Sequence, residues 1–206
     1  MDLPTKPVSE LAADPRPLKR PSRTDAEAAV RTLIAWSGDD PSREGLLETP
    51  ERVAKAYREL FSGYDQDTNG ILEKVFHDVG GYDDIVMVKD IVFHSHCEHH
   101  LAPFFGEVHI AYLPQDGVVG ISKLARLTEM FARRLQTQEN MTSQIIDALN
   151  ESLNPRGAAI MVSAEHTCMS MRGVRKPGSR TVTQRFTGMF AEDKDLQDRF
   201  FALLRG

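Results

Sequence analysis

Between Phe93 and Leu101 the chain reads FHSHCEHHL. Cys97, Glu98 and four histidines, His94, His96, His99 and His100, stand within these nine residues. The second of the chain's two cysteines comes about seventy residues later, in the run His166-Thr167-Cys168. Thiolate and imidazole are the donors zinc prefers, four of them in a closed structural site and three plus water in a catalytic one. Two cysteines cannot supply a site of four thiolates. A closed site would take both with two histidines. A catalytic site would take both with one histidine and keep a position open. A cysteine by itself is most often a small buried hydrophobe, and an isolated strand histidine is usually structural. Here both cysteines have histidines beside them, at the ends of predicted strands, and the joint pattern points to a metal.

Stereochemistry restricts the histidines. Along an extended chain neighbouring side chains point to opposite faces. His99 and His100 therefore cannot serve one ion alike if their segment is extended: one ligates while the other is left for acid–base work, and spacing does not say which. His94 and His96 alternate away from Cys97 and read as non-ligands. His77 and His109 read as surface or structural residues.

The elements that must hold these groups follow from pattern. Thr24-Asp25-Ala26-Glu27 has the form of a capping box, predicting a helix from Thr24 to near Gly38. Thr49 caps a second, with Pro50 in its first turn, Val53, Tyr57, Leu60 and Phe61 on one face, and Gly63 as its end. The period then changes. A β-branched run predicts a strand over 85–93. GEVHIAYLP alternates, with Val108, Ile110 and Tyr112 on one face and Glu107, His109 and Ala111 on the other, a half-buried strand. Ser122 caps a helix carrying Leu124, Leu127 and Phe131. Another carries Met141, Ile145, Leu149 and Leu153. Two strands, AAIMVSAEH and RTVTQRFTGMF, and a helix over DKDLQDRFFALLR complete the chain. The core order β-β-α-α-β-β, preceded by helices, predicts an α+β fold: an antiparallel sheet with two helices packed on one face. The expected organisation is an N-terminal arm over 1–23, rich in proline and charge, and a single domain over 24–206. That domain has a helical part over 24–80 and a sheet-bearing core over 81–206.

Composition sets the outer bounds. Hydrophobic residues make up 41% and charged residues 27% of 206, ordinary values for a globular chain. A net charge of −5 argues against a general nucleic-acid binder. No apolar run approaches the roughly 20 residues of a membrane span, and the N-terminal segment has no apolar core of a secretory signal. A cytoplasmic location with reduced thiols is the expectation. Positive charge is local: Arg172, Arg175, Lys176 and Arg180 fall within nine residues with no acid among them, a place for an anionic small ligand.

Five stretches in order, TPERVAKAY, CEHHLAPFFGEVHIAYLP, GISKLARL, RRLQTQENMTSQI and HTCMSMRGVRKPGSRTVT, resemble the GTP cyclohydrolase I family from about Glu44 to the C-terminus. The resemblance implies a tunnelling (T-) fold whose sheets join between subunits, a homodecamer, and active sites at subunit interfaces. Carried over by position, Cys97, His100 and Cys168 are the zinc ligands, and His99 and His166 the catalytic histidines. That assignment requires a turn between Cys97 and His100. Glu98 is a supporting or structural carboxylate.

The reaction so implied opens the guanine imidazole ring of GTP with water, releases formate and closes a new ring to give 7,8-dihydroneopterin triphosphate, the first step toward pterins and folate. Zinc with three protein ligands lowers the pKa of its water to roughly 7, and histidines move the protons. By resemblance Glu139 reads the guanine N1–H and 2-amino group, with Gln138 beside it. Ser122, Lys123, Arg126 and Arg172 hold phosphates, and Arg52 reaches in from another subunit. The family usually carries Arg-Leu after that glutamate; here it is Asn140-Met141. Two other readings compete: a reductase of the same fold class with a cysteine nucleophile and a nicotinamide cofactor, and a binding module stabilised by closed zinc. The Cys-Glu-His-His run with a distant His-x-Cys favours the metal over the first, and the surplus of histidines favours an open site over the second.

Overall fold

The structure is a computed structural model that describes residues 20–72, 75–77 and 80–206, with only the backbone of Asn69. The arm expected over 1–23 lies outside the described residues as far as 19. The chain divides into two compact units, one ending at Tyr57 and one spanning Arg58–Gly206.

In the first unit, helix α1 (Arg23–Trp36) starts earlier than Thr24, with Ser22 as its cap. Ser22 Oγ accepts from Asp25 N–H at 3.1 Å, and the Asp25 carboxylate accepts from Ser22 N–H at 3.1 Å. Ser-x-x-Asp and Thr-x-x-Glu both satisfy the box. The later one is not used, because Glu27 is held instead by Arg23 one turn back, at 2.8 Å. In helix α2 (Thr49–Leu60) the Arg52 N–H donates to the Glu48 carbonyl, so Thr49 is the first helical residue and not the cap. Arg23 also reaches Glu51 at 2.6 Å, joining α1 to α2.

The second unit takes in the last residues of α2, and a tight turn follows over Ser62–Asp65, so Gly63 lies inside that turn and does not end α2. Gly63 is needed there by close approach: a Cβ on it would fall 2.0 Å from the Met130 carbonyl. Helix α3 (Thr68–Leu72), β1 (Val75–Phe76), β2 (Val86–Cys97), β3 (Pro103–Leu113) and β4 (Val118–Val119) follow. Then come α4 (Ile121–Ala132), β5 (Leu135–Gln136), α5 (Gln138–Leu153), β6 (Gly157–His166), α6 (Thr167–Ser170), β7 (Arg180–Gly188), α7 (Met189–Glu192) and α8 (Lys194–Arg205). The main sheet has the order β5-β2-β3-β6-β7; β1 and β4 form a separate pair. All main-sheet pairings are antiparallel except the short parallel one between β5 and β2, His96 with Leu135 and Cys97 with Gln136.

Several boundaries differ from expectation. β2 runs on to Cys97. Gly120, not Ser122, caps α4. α5 begins at Gln138 with Thr137 as its cap, whose Oγ1 accepts from Asn140 N–H. Met189 and Phe190 leave the last strand for α7.

Helices α4 and α5 lie on one face of the sheet. Phe93, Phe104, Val108, Ile110, Tyr112, Ile160 and Val162 meet Leu124, Leu127, Met141, Ile145 and Leu149 there. Each such side chain contributes about 1.5–3 kcal/mol by leaving water. The opposite face is also covered. Ile85, Ala111, Leu113 and Ala159 pack with Phe190, Leu196 and Phe200 of α7 and α8. The strand expected to be half buried is therefore buried on both faces from Val108 onward. Phe190, Leu196 and Phe200, which cover its second face, come from the far end of the chain.

His109 and His77 have structural work. A bulge in β2 between Val88 and Ile91 puts Asp90 at a φ of 62°. Its freed N–H donates to His109 Nδ1 at 3.1 Å, which pins the bulge. His77 Nδ1 lies 2.6 Å from the Asp116 carbonyl. A carbonyl only accepts, so this nitrogen carries the proton.

Candidate active site

The thiols and imidazoles gather where β2, β3 and β6 end together. Antiparallel pairing puts His96 opposite Pro103 and Phe104 opposite His166. The end of β2 and the end of β6 thus flank the start of β3. After Cys97 the chain turns sharply. Leu101 N–H donates to the Cys97 carbonyl at 2.9 Å, Cys97 N–H to the Ala102 carbonyl at 2.8 Å, and Leu101 takes a φ of 52°. Glu98 N–H is held by the Gln136 carbonyl at 3.0 Å, so β5 anchors the turn. On the other side α6 starts directly after His166, and Thr167 Oγ1 donates to the Pro103 carbonyl at 2.6 Å. These two turns bring donor atoms of Cys97, His100 and Cys168 within 4.8 Å of one another.

His99 is not in that group, although its Nδ1 lies 3.7 Å from Cys97 Sγ. It is mostly exposed, with Glu98 3.9 Å away. Cys97 is buried, Cys168 half-buried and His100 exposed, a gradient from the core to solvent. Burial pushes the Cys168 thiol up, and the neighbouring Cys97 pushes it further. A thiol so placed holds its proton until a cation compensates the charge. His94 and His96 stay out of the group: His94 lies beside Phe105, and His96 packs edge-on against Phe61. A second close set, Asp90, Glu107 and His109, belongs to the bulge.

His166 is half-buried and its ring lies flat on Phe104, centroids 4.4 Å apart and planes 3° from parallel. Burial lowers its pKa, against an opposing pull from Glu139. Glu139 itself is exposed in the first turn of α5, where the helix dipole favours a carboxylate. Gln138, expected beside it on the substrate, is turned inward and is 1% exposed. Its Nε2 donates to the carbonyls of Val162 and Thr181 and to Thr183 Oγ1, and its Oε1 lies 2.9 Å from His166 Nε2.

The expected phosphate contacts are spread wider. Ser122, Lys123 and Arg126 occupy the first turns of α4, exposed or half-exposed. Arg172 is exposed four residues beyond Cys168. Among the described residues none of these four is held in an ion pair. Arg52 lies in the first unit and pairs with Glu48. Phe104, Gln136 and Thr183 were not singled out from sequence. Only Phe104 carried a signal, its place directly after Pro103 and two residues before the strand predicted from Gly106.

The description "GTP cyclohydrolase I" belongs to the protein family whose profile matches residues 26–205, a longer span than the motifs from about Glu44 onward. A GTP cyclohydrolase 1 of Brucella anthropi is 59% identical over 186 residues, 90% of this chain and 87% of that protein. One from Maricaulis maris is 58% identical over 204 residues, 99% of this chain and 98% of its own length. Among solved structures, an archaeosine synthase QueF-Like in the apo form shares 16% identity, covering 52% of this chain and 96% of its own, at a TM-score of 0.44; a likeness of that size carries no argument. A family match over most of the chain, with relatives near 60% identity over nearly its full length, shows that this chain belongs to the GTP cyclohydrolase I family.

Proposed function

We propose that the protein hydrolytically opens the imidazole ring of GTP, releases formate and forms 7,8-dihydroneopterin triphosphate, feeding pterin and folate synthesis. The observation that carries this reading is the convergence of Cys97, His100 and Cys168 beside His166, in a chain whose relatives are named for this activity.

The donor set fits zinc. Two thiolates and an imidazole are its preferred ligands. Cys97 Sγ lies 3.8 Å from His100 Nδ1, and the donor atoms of Cys97, His100 and Cys168 lie within 4.8 Å of one another, so these three residues would hold one ion. When bound by these three residues, zinc supplies Lewis acidity that activates water near neutral pH. The remaining work falls to the chain. His166 and His99 hold and move protons for ring opening and rearrangement. The Glu139 carboxylate accepts from guanine N1–H and the 2-amino group, a donor pair that adenine lacks. Ser122, Lys123 and the N-terminal turn of α4 offer donors to the triphosphate, and Arg126 and Arg172 add charge. Arg52 acts on the site of a neighbouring subunit.

That last role belongs to the assembly we infer: a tunnelling-fold homodecamer with active sites between subunits. Open sheet edges favour assembly. Among the described residues of the protomer β7 pairs only with β6, and β2 has β5 along only its last two residues. Such edges invite strands from further copies. No helix among the described residues is long and apolar enough to cross a membrane, in keeping with an enzyme acting on a polar nucleotide in the cytoplasm.

The test is to incubate metal-loaded protein with GTP and follow formate and, after oxidation, a fluorescent pterin. Chelation should stop both and zinc should restore them. Absence of formate, or equal turnover of ATP, would overturn the reading.

A further inference from the structure

The side-chain amide of Gln138 is oriented without ambiguity. Its Nε2 faces the Val162 carbonyl at 3.1 Å, the Thr181 carbonyl at 3.0 Å and Thr183 Oγ1 at 3.2 Å. Two of these are carbonyl oxygens and can only accept. Exchanging the amide's oxygen and nitrogen would set oxygen against oxygen twice in a buried place, so the exchange is forbidden. The hydroxyls agree. Thr142 Oγ1 donates to the Gln138 carbonyl at 2.7 Å and has spent its only proton. Thr183, 2.7 Å away, must therefore donate to Thr142 and accept from Gln138 Nε2. The chain of donors runs one way, from the Gln138 amide through Thr183 and Thr142 back to the Gln138 backbone.

The amide oxygen is then fixed 2.9 Å from His166 Nε2. An amide oxygen only accepts, so Nε2 carries a proton. In the neutral ring Nδ1 carries the lone pair. Nδ1 makes no hydrogen bond among the described residues. No unpartnered side-chain nitrogen of a buried or half-buried residue is sealed from solvent there, so Nδ1 reaches solvent. Phe104, flat against the ring, limits rotation of the imidazole out of this arrangement.

Taken with the ring-opening reading, on which its catalytic meaning rests, we infer that Gln138 is a positioning residue: it holds His166 as the Nε2–H tautomer and leaves Nδ1 as the nitrogen that exchanges protons with substrate. Gln138 then has no part in binding the purine.

The first measurement needs neither substrate nor a Gln138 variant. In zinc-loaded protein with 15N-labelled histidine, the His166 ring is identified by its loss in His166→Gln, and its protonated nitrogen by one-bond N–H coupling. The proton is expected on Nε2; a neutral ring protonated on Nδ1 overturns the inference. The second uses Gln138→Met, which removes the acceptor. It should lower kcat on the order of a hundredfold or more, leave KM for GTP within about twofold, and keep zinc content unchanged. Gln138→Glu retains an acceptor toward Nε2, with its inner oxygen protonated against the carbonyls, and should recover most of that kcat. A raised KM at unchanged kcat and unchanged tautomer would instead make Gln138 a substrate contact and overturn the assignment. If the parent protein carries the Nε2 proton but makes no formate from GTP, the ring-opening reading fails and the tautomer lock stands.

Discussion

Phe104 offers a way to separate orientation of His166 from stability of the core. Its ring is 0% exposed. One face lies on His166 at 4.4 Å, and it also meets Phe93 as a T-shaped pair with centroids 5.7 Å apart. Replacing it with Leu keeps an apolar side chain of nearly the same volume, a change that costs up to about 1.5 kcal/mol in packing. It also removes two aromatic pairs, each worth about 0.5–1.5 kcal/mol beyond area burial. The sum is about 1–4.5 kcal/mol for Phe104→Leu. Phe93→Leu is the control. Phe93 is also 0% exposed, and of the two aromatic pairs the substitution removes only the one with Phe104. Its loss should be smaller by about one pair. The assay is urea unfolding of metal-loaded protein at one fixed protomer concentration, since assembly links stability to concentration. It is paired with kcat for formate release well below the unfolding midpoint. Phe104→Leu should lower kcat by a factor of ten or more because the imidazole gains freedom, while Phe93→Leu should leave kcat within about twofold. Equal kcat losses in the two variants would show that the stack does not orient the histidine.

Metal retention should divide the site. Cys168→Ser is expected to lose bound zinc on dialysis, whereas His166→Gln keeps it and loses turnover; equal metal content by elemental analysis would refute the ligand assignment. Glu139→Gln removes the charged acceptor, a loss of about 1.5–3 kcal/mol or roughly ten- to a hundredfold in kcat/KM for GTP, with zinc content unchanged. Stability should fall in acid through His109. Burial lowers its pKa against the pull of Asp90 and Glu107, with Lys89 acting alongside burial. With a folded-state pKa below the unfolded one, near 6.5, the unfolded chain binds the proton first. The histidine's contribution is therefore whole above that value and is lost as pH falls from about 6.5 toward the folded pKa. His109→Asn, which can still accept from Asp90 N–H, should reduce the drop in urea midpoint between about pH 7.5 and 5.5.

How far the chain could be read depended on the range of the interaction that decides each feature. The faces of α4 and α5 follow from local periodicity. Leu124, Leu127 and Phe131, and Met141, Ile145 and Leu149, are buried as their spacing predicts. The start of α1 is also local, but Ser22 and Thr24 both offered a capping box, and a charge pair one turn away selected between them. The burial of Ala111 and Leu113 had no local signal, because their partners Phe190, Leu196 and Phe200 lie far along the chain. β5 is two residues long, too short to register as a period, yet it fixes the turn after Cys97. That turn depends on Leu101 at a φ of 52°. A leucine gives no warning of that backbone, so the segment reads as extended and leaves His99 and His100 undecided. Gln138 was masked in another way. Next to an exposed glutamate it resembles a second surface contact, and only the carbonyls of Val162 and Thr181, on two other strands, show that it points inward.

These cases share one determinant, the register of β3 against its neighbours. Cys97 and Cys168 are brought together because Pro103 pairs with His96 and Phe104 with His166. Side chains alternate with a period of two, so a slip of one residue between β3 and β6 would turn His166 to the opposite face and part it from Phe104. The same slip would carry Ile160 and Val162, on the strand that bears His166, out from beneath α4 and α5. The apolar alternation that builds the core is thus also what places the thiols and the imidazole. Gly106 guards the register at its tightest point: opposite Ala164, a Cβ there would lie 2.0 Å from the Ser163 carbonyl. The geometry of the site is therefore specified by residues that never touch a ligand, and the chemistry-bearing residues contribute little to their own placement.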